Sequence, residues 1–377
     1  MKILHIISGL DYGGAEKLLL NTCREQLCMG DSVKVVFFKG KGLLVNEFEA
    51  LGINTEKINV SYSNIPFSLV KLVFFIRKQK YDVVHTHLAS AAFIGRLAAL
   101  IAGTATIVNT LHNTDRWISG KNLPCFLLKQ VDKLLNNTKK SKIIAISEAV
   151  REFLVSNEKG IDNSNIYLVY NAINFSEIDR KLCEPLKRQD VNLNKDDFII
   201  INIGRMDKQK NQIMLLKAVK FLVYEKGLYN IKCLIMGNDG NMKNDLLKYV
   251  RQNNLDGNVF LTGPQPNPFK YLKISDLFVM PSLYEGLPLS VLEAYYCAVP
   301  VLSTEADGLS EIVKHNVTGI KLKRNDHVHL ANEILRFYRK EYDIEGMVNN
   351  ARAYVQGYDI KSYANNLKKV YMDEKQE

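Results

Sequence analysis

Short apolar runs rich in β-branched residues alternate with longer stretches of helical periodicity from one end of this chain to the other. That alternation restricts the fold to βαβ units built on parallel sheets. In the first half the expected strands are Lys2–Ser8, Ser32–Phe38, Asp82–Thr86, Ile107–Leu111, Lys142–Ile146 and Ile166–Val169, with helices such as Glu16–Met29 and Pro66–Lys80 between them. A second series runs through Phe198–Gly204, Lys232–Met236, Asn258–Leu261, Leu277–Pro281, Pro300–Ser303 and Gly319–Leu322. The fold class is therefore α/β, with two Rossmann-like, doubly wound parallel-sheet domains. A chain of 377 residues has the length for two ordinary domains. The stretch Ser176 to Asp197 is polar, contains Pro185 and lacks strong apolar periodicity, as an interdomain connection would. The boundary is placed near Asn174: a first domain over 1–174, a second over 175–357, and a basic, tyrosine-rich terminal helix over 358–377.

Several classes are excluded early. With 47% hydrophobic and 24% charged residues the chain is an ordinary globular protein, not a disordered one. Its six cysteines are scattered without a C-x-x-C pair or a Cys/His cluster at zinc-ligand spacing, which fits a reducing, cytoplasmic setting. Met1 to Leu10 contains His5 and leads straight into a glycine turn, so it reads as a buried first strand, not a signal peptide. Lys71 and Arg96 interrupt the two longest apolar runs, so no membrane-spanning segment is expected. The formal charge of +10 is uneven: residues 1–175 hold 21 Lys+Arg against 14 Asp+Glu, the remainder 29 against 26. A solvated basic face explains this plainly; anionic lipid headgroups or a phosphate-bearing acceptor are the sharper readings. No nucleic-acid-binding signature accompanies the basic residues.

Four features carry chemistry. Gly9-Leu-Asp-Tyr-Gly13-Gly14-Ala-Glu16 follows the first strand and opens a helix. It serves either as a structural turn or as a place where backbone approaches phosphate, and its spacing is not the dinucleotide fingerprint. Asp82-Val-Val-His85-Thr-His87 ends a strand in two histidines. Ligands gather at the carboxyl ends of parallel strands, so His87 is the site candidate and His85 reads as core. His112, ending the next strand, stays open between the two. Gly204-Arg205-Met-Asp-Lys208-Gln-Lys210 repeats the strand, glycine, helix pattern with two cations suited to a diphosphate, the alternative being a solvated basic loop.

The strongest feature is Glu285-Gly286-Leu287-Pro288-Leu289-Ser-Val-Leu-Glu293. Pro288 suits the first turn of a helix, leaving Glu285 in the loop before it and Glu293 over a turn inside. The backbone from Gly286 to Leu289 would offer amides to an anion. Carboxylates beside such a site would repel phosphate and suit sugar hydroxyls better.

With these residues in view, the chain resembles the retaining glycosyltransferases of family 4, which have the GT-B fold. The resemblance extends over nearly the whole length, through Gly13-Gly14-Ala-Glu16, His85-Thr-His87, Ser147-Glu148, Asn171 to Asn174, Gly204-Arg205 with Lys210, Gly237 to Gly240, and the Glu285/Glu293 pair with seven residues between. Ala172, Asn241 and Ala298 depart from the usual pattern near turns. The resemblance implies an interdomain cleft, with Glu285 touching the transferred sugar and Glu293 the ribose hydroxyls. Arg205 and Lys210 would clamp the diphosphate, Gly14 would let backbone approach it, and His87 would face the sugar. It also implies a terminal helix crossing back to the first domain.

The expected function is transfer of a sugar from a nucleotide-sugar donor, UDP by family frequency, to a saccharide or lipid-linked acceptor in surface polysaccharide assembly. The enzyme would work at the inner face of the membrane, with an anionic lipid surface as a further partner. No D-x-D occurs anywhere, so neither metal nor cofactor is expected, the donor being the substrate. An epimerase or phosphorylase on the same scaffold, or an inactive nucleotide-sugar-binding module, are the alternatives.

Overall fold

The computed structural model describes residues 1–60, 64–113, 123–157, 161–322 and 326–373, without the side chains of 123–129 and 157. The chain divides into two compact units, one formed by Met1–Ala172 with the last helix, the other by Ile173–Asp359.

The first unit runs β1 (Lys2–Gly9), α1 (Gly14–Cys28), β2 (Ser32–Lys39), α2 (Val45–Ala50), β3 (Asn54–Lys57), α3 (Ile65–Gln79), β4 (Val83–His87), α4 (Ala89–Ala102), β5 (Thr106–Leu111), α5 (Leu123–Asn136), β6 (Ser141–Ala145), α6 (Glu148–Asn157) and β7 (Ile166–Leu168). The second contains α7 (Phe175–Leu182), β8 (Phe198–Ile203), α8 (Gln212–Lys220), β9 (Ile231–Met236), α9 (Lys243–Gln252), β10 (Val259–Gly263), α10 (Pro268–Ile274), β11 (Leu277–Met280), α11 (Leu289–Tyr296), β12 (Val301–Thr304), α12 (Asp307–Ile312), β13 (Ile320–Leu322), α13 (His327–Tyr338) and α14 (Ile344–Val355). The last helix, α15 (Ile360–Met372), belongs to the first unit, where it packs on α1. The expected terminal helix began at Tyr358, and its last residues, 374–377, lie outside the described residues.

Both sheets are wholly parallel, in the orders β3-β2-β1-β4-β5-β6-β7 and β10-β9-β8-β11-β12-β13. Each order reverses once, between β1 and β4 and between β8 and β11. Such a reversal splays the flanking loops apart and leaves a crevice at the carboxyl ends of the two strands.

Strand periodicity sorts the first core. Leu4, Ile6, Val36, Phe38 and Val84 face α3 and α4, where they meet Leu72, Ile76, Ala91 and Ala98. Ile7, Val35 and Phe37 point to the opposite side, against Leu19, Leu20, Cys23 and Phe48 of α1 and α2. The second unit has one continuous core including Ile200, Leu215, Val219, Ile235, Val279, Leu302, Ile334 and Phe337.

The expected strands all form, with ends displaced by a residue or two. β3 was not expected: its sequence, Asn-Thr-Glu-Lys, is polar because it is the sheet's edge and buries little. The stretch from Ser176, expected to be a bare connection, holds most of α7, which starts where the Asn174 side chain accepts the Glu177 N–H at 3.0 Å. Pro288 is the cap residue before α11, not part of its first turn. Ala298, one of the departures from the usual family pattern, takes φ 61°, the left-handed conformation that favours glycine. Arg96, expected only to interrupt an apolar run, is buried and ion-paired with Asp132 of α5.

Candidate active site

In the second unit the loops that follow β8 and β11 are stitched together. Leu283 N–H donates to Gln209 O at 2.8 Å, and the Gln209 amide donates to Tyr284 O at 2.9 Å. These two bonds carry Lys210 to Glu285, whose Oε1 accepts from Nζ at 2.6 Å. Both groups are largely buried, at 17% and 6% side-chain exposure, so the pair is held in a setting where its attraction is screened little. Arg205 differs: its side chain is 64% exposed and its guanidinium pairs with Asp207. Asp207 also accepts the Asn241 N–H at 3.2 Å, tying a third loop to the same place.

Glu293 is buried at the fifth position of α11, over a turn inside as its spacing required. Between the two glutamates, Pro288 has no N–H, so Gly286, Leu287 and Leu289 carry the amides of that stretch. Two further glycines are required here and were not singled out for it. Gly237 has φ +144°, and a Cβ on it would lie 2.2 Å from Gly204 O. A Cβ on Gly308 would fall 1.4 Å from Gly286 O, while its N–H donates to Glu285 O at 3.0 Å. The loop bearing Glu285 thus rests directly on the Gly308 backbone, a contact that sequence spacing could not reveal.

In the first unit, Gly14 is the first residue of α1, after Gly13 in extended backbone. Asp11, just before, accepts from the N–H groups of Lys41, Gly42 and Leu43 at 3.1, 2.9 and 3.3 Å, fixing the glycine turn to the loop after β2. Beside it, at the sheet's reversal, β1 and β4 align His5 with His85 and Ile7 with His87. Period-two alternation puts His5, His85, His87 and Thr110 on one face, covered by α1 and α15. A buried polar face must be hydrogen-bonded. His5 Nε2 lies 2.9 Å from Gln26 Oε1, and His5 Nδ1 3.1 Å from His87 Nε2. His85 Nδ1 lies 2.7 Å from the Tyr371 hydroxyl, and its Nε2 2.7 Å from Thr110 Oγ1. His112 Nε2 comes within 3.5 Å of His87 Nδ1.

Desolvation pushes the pKa of His5 and of His112 down to about 4, and those of His85 and His87 well below the usual histidine value, with the neighbouring histidines adding to it. All four are neutral at physiological pH. The nitrogens of His5, His85 and His87 lie within 4.8 Å of one another, close enough to hold an ion, but every one already faces a hydrogen-bond partner. Sequence placed His85 in the core and His87 at the site; the structure puts both, with His5, in one network. Immediately after His87, Leu88 adopts φ 67° and ψ 159°, a conformation that costs a non-glycine residue about 1–3 kcal/mol. Such strain persists only where surrounding packing enforces it.

Both units thus carry their candidate residues at the ends of parallel strands or in the segments that follow them. Residues 12–177 match the family model for Glycosyltransferase Family 4, and residues 184–354 that for Glycosyl transferases group 1. The chain belongs to this glycosyltransferase family. It is 28% identical to the UDP-Gal:alpha-D-GlcNAc-diphosphoundecaprenol alpha-1,3-galactosyltransferase of Escherichia coli, over 84% of this chain and 81% of that one. It is 27% identical to the capsular polysaccharide biosynthesis glycosyltransferase CapH of Staphylococcus aureus, over 83% of each. Its fold matches that of Anabaena HepE in complex with UDP-glucose, with a TM-score of 0.83 at 21% identity, over 99% of this chain and 100% of that one. Both sequence relatives are named as transferases, which disfavours the epimerase, phosphorylase and inactive-module alternatives.

Proposed function

We propose that the protein is a retaining, metal-independent transferase that moves a sugar from a UDP-sugar to a lipid-linked or saccharide acceptor in surface polysaccharide assembly. The observation that carries this reading is the buried Lys210–Glu285 pair at the β8/β11 reversal. A cation and a carboxylate held side by side can meet the two halves of a donor at once, Lys210 the diphosphate and Glu285 the sugar hydroxyls. Arg205, with its side chain exposed and paired with Asp207, can turn to the second phosphate. Glu293 takes the ribose hydroxyls, and the amides of Gly286, Leu287 and Leu289 supplement the cations. For the first unit, the family resemblance is what gives Gly14 a phosphate and His87 a sugar to meet.

The chemistry follows from charge development. The bond from the anomeric carbon to the diphosphate oxygen breaks, and negative charge grows on that oxygen beside Lys210 and Arg205. The acceptor oxygen bonds to the same face of the anomeric carbon, and its proton passes to the departing phosphate oxygen. UDP leaves with that proton, so no covalent sugar–enzyme bond is needed. The absence of a D-x-D sequence supports metal independence.

The UDP-sugar and diphospholipid acceptor in the name of the Escherichia coli relative, and the UDP-glucose in the Anabaena structure, support the substrate classes. Among the described residues no helix is long and apolar enough to cross a membrane. A lipid-linked acceptor would instead be met at the surface, for which α3 is built: Phe67, Val70 and Phe74 are exposed at 74%, 53% and 66% on one face, beside exposed Lys71, Arg77 and Lys78. Apolar side chains ringed by cations suit an anionic bilayer.

Two assays test the proposal. UDP-sugars incubated with a polyprenyl-diphosphate-linked sugar should release UDP only when the acceptor is present, equally in excess chelator. UDP release independent of acceptor, or abolished by chelator and restored by a divalent ion, would refute transfer or metal independence respectively.

A further inference from the structure

The first unit's buried network allows a deduction about proton placement. Gln26 on α1 bridges two partners with its two amide atoms: Nε2 lies 3.3 Å from the Tyr371 hydroxyl on α15 and Oε1 lies 2.9 Å from His5 Nε2. An amide oxygen only accepts, so His5 must carry its proton on Nε2. A neutral imidazole has one proton, which leaves His5 Nδ1 as an acceptor, and the facing His87 Nε2, 3.1 Å away, must then be N–H. His87 Nδ1 is left as a lone pair, turned to His112 Nε2 at 3.5 Å. On the other branch the Tyr371 oxygen accepts from Gln26 and donates its proton to His85 Nδ1 at 2.7 Å. His85 therefore carries Nε2–H, which donates to Thr110 Oγ1 at 2.7 Å. With the Gln26 amide in this orientation every bond in the set has one consistent direction, and turning the amide over would reverse both branches together.

We propose that Tyr371, on the terminal helix that returns to the first unit, closes a buried hydrogen-bond chain through Gln26 and His5 that holds His87 in one tautomer, with Nε2–H bound to His5 and the Nδ1 lone pair turned toward His112. Tyr371, Gln26 and His5 are positioning residues: they act on the reaction through His87 alone. With the amide so placed, the Tyr371 oxygen accepts from Gln26 Nε2–H and the phenol directs its own proton to His85 Nδ1. The phenol keeps that proton, since burial raises its pKa well above the ordinary tyrosine value. Charge is not part of the device, because desolvation keeps each histidine neutral. The strained backbone of Leu88 fits the same account: a ring tied at Nε2 cannot relax to follow the turn after it.

The catalytic consequence rests on the reading of His87 as a sugar-facing residue; the tautomer assignment does not. A lone pair at Nδ1 accepts, from His112 Nε2 as it stands or from a substrate hydroxyl that displaces it, whereas the opposite tautomer would present a proton and reject either contact.

The test separates these two layers. In the protein labelled with ¹⁵N at histidine, long-range ¹H–¹⁵N correlation at neutral pH should show His5, His85 and His87 as neutral Nε2–H tautomers. Nδ1–H at His5 or His87, or about one bound transition-metal ion per purified chain, would overturn the chain itself. Tyr371→Phe should spread His87 over both tautomers and lower kcat roughly tenfold, with the donor KM little changed. Gln26→Leu, which removes both amide atoms, should likewise spread His87 over both tautomers and lower kcat. Unchanged His87 signals in folded Tyr371→Phe would overturn the role given to the tyrosine. Altered signals with unchanged kcat would leave the tautomer chain standing and refute the placing of His87 at the sugar.

Discussion

The two sheet reversals are topologically alike and electrostatically opposite. At β1/β4 four histidines are packed together and uncharged, and their order comes from directed hydrogen bonds. At β8/β11 a half-buried lysine is paired with a buried glutamate, and an exposed arginine is paired with an aspartate beside them. The proposed function would use the two arrangements differently. A diphosphate carries formal charge and rewards fixed cations, whereas a neutral sugar ring rewards hydroxyl-sized, directional contacts. The histidine face also shows how a buried polar surface can be stable without ions, given partners for every nitrogen.

The comparison breaks most sharply at Glu285. Glu285→Gln should lower turnover by about 10²–10³-fold, on the scale of losing one charged group aimed at a transition state. UDP affinity should be retained or improved, because Lys210 is released from its carboxylate. Glu293→Gln should instead weaken UDP by about 1–3 kcal/mol. Calorimetric titration of UDP into both folded variants checks the division, and equal losses would end it.

Acid should act through the histidine region. The unfolded chain takes up protons below a histidine pKa near 6.5, whereas folded His5 and His112 resist protonation down to about 4. Their contribution to stability is therefore complete above pH 6.5 and is lost as pH falls toward 4, at about 1.4 kcal/mol per pH unit for each proton taken up on unfolding. Urea midpoints measured across that window should fall with this slope, and His5→Gln should make the slope shallower. A flat profile would mean that the histidines are not buried neutral.

Lys210→Ala strands a buried carboxylate and should cost about 1–3 kcal/mol of stability in addition to donor affinity. Arg205→Ala removes an exposed pair and should cost less than about 1 kcal/mol, yet still raise the donor KM. Denaturant unfolding alongside donor kinetics distinguishes them, and equal stability losses would erase the difference in burial on which the phosphate assignment leans. The smallest effect is expected at α3, where Lys71→Ala should weaken binding to anionic vesicles by about 1 kcal/mol and leave binding to neutral vesicles unchanged. Vesicle sedimentation at two salt concentrations decides it.

Much of this molecule could be read from residue order alone. Strands such as Phe198–Ile203 announce themselves as apolar runs because both faces of a parallel sheet are buried. Arg205, Lys210, Glu285 and His87 could be named as candidates because strand ends are where such folds place ligands. β3 escaped because an edge strand needs no apolar signature, and α7 because a short helix started by one asparagine cap leaves little periodicity. The contacts that organise the sites were out of reach for another reason. Lys210 and Glu285 lie 75 residues apart, and His85 and Tyr371 286 apart, and nothing local in either segment specifies the other. His5 was noticed only as an odd residue in an apolar strand, and its neighbours across the sheet gave it meaning.

The return of α15 to the first unit bears on how the protein is made. A ribosome delivers β1 to β7 first, but the helix that covers their histidine face is encoded beyond the whole of Ile173–Asp359. Domains commonly fold as units during synthesis, from the N-terminus onward. Here the nascent first unit must wait with His5, His85 and Lys142 uncovered, since Tyr371 and the Val370 carbonyl that accepts from Lys142 at 2.7 Å arrive last. The second unit is contiguous and can close while the first is still waiting. The unit translated first is thus the one completed last, and a nascent chain halted before Ile360 would carry a complete second unit and an incomplete first one.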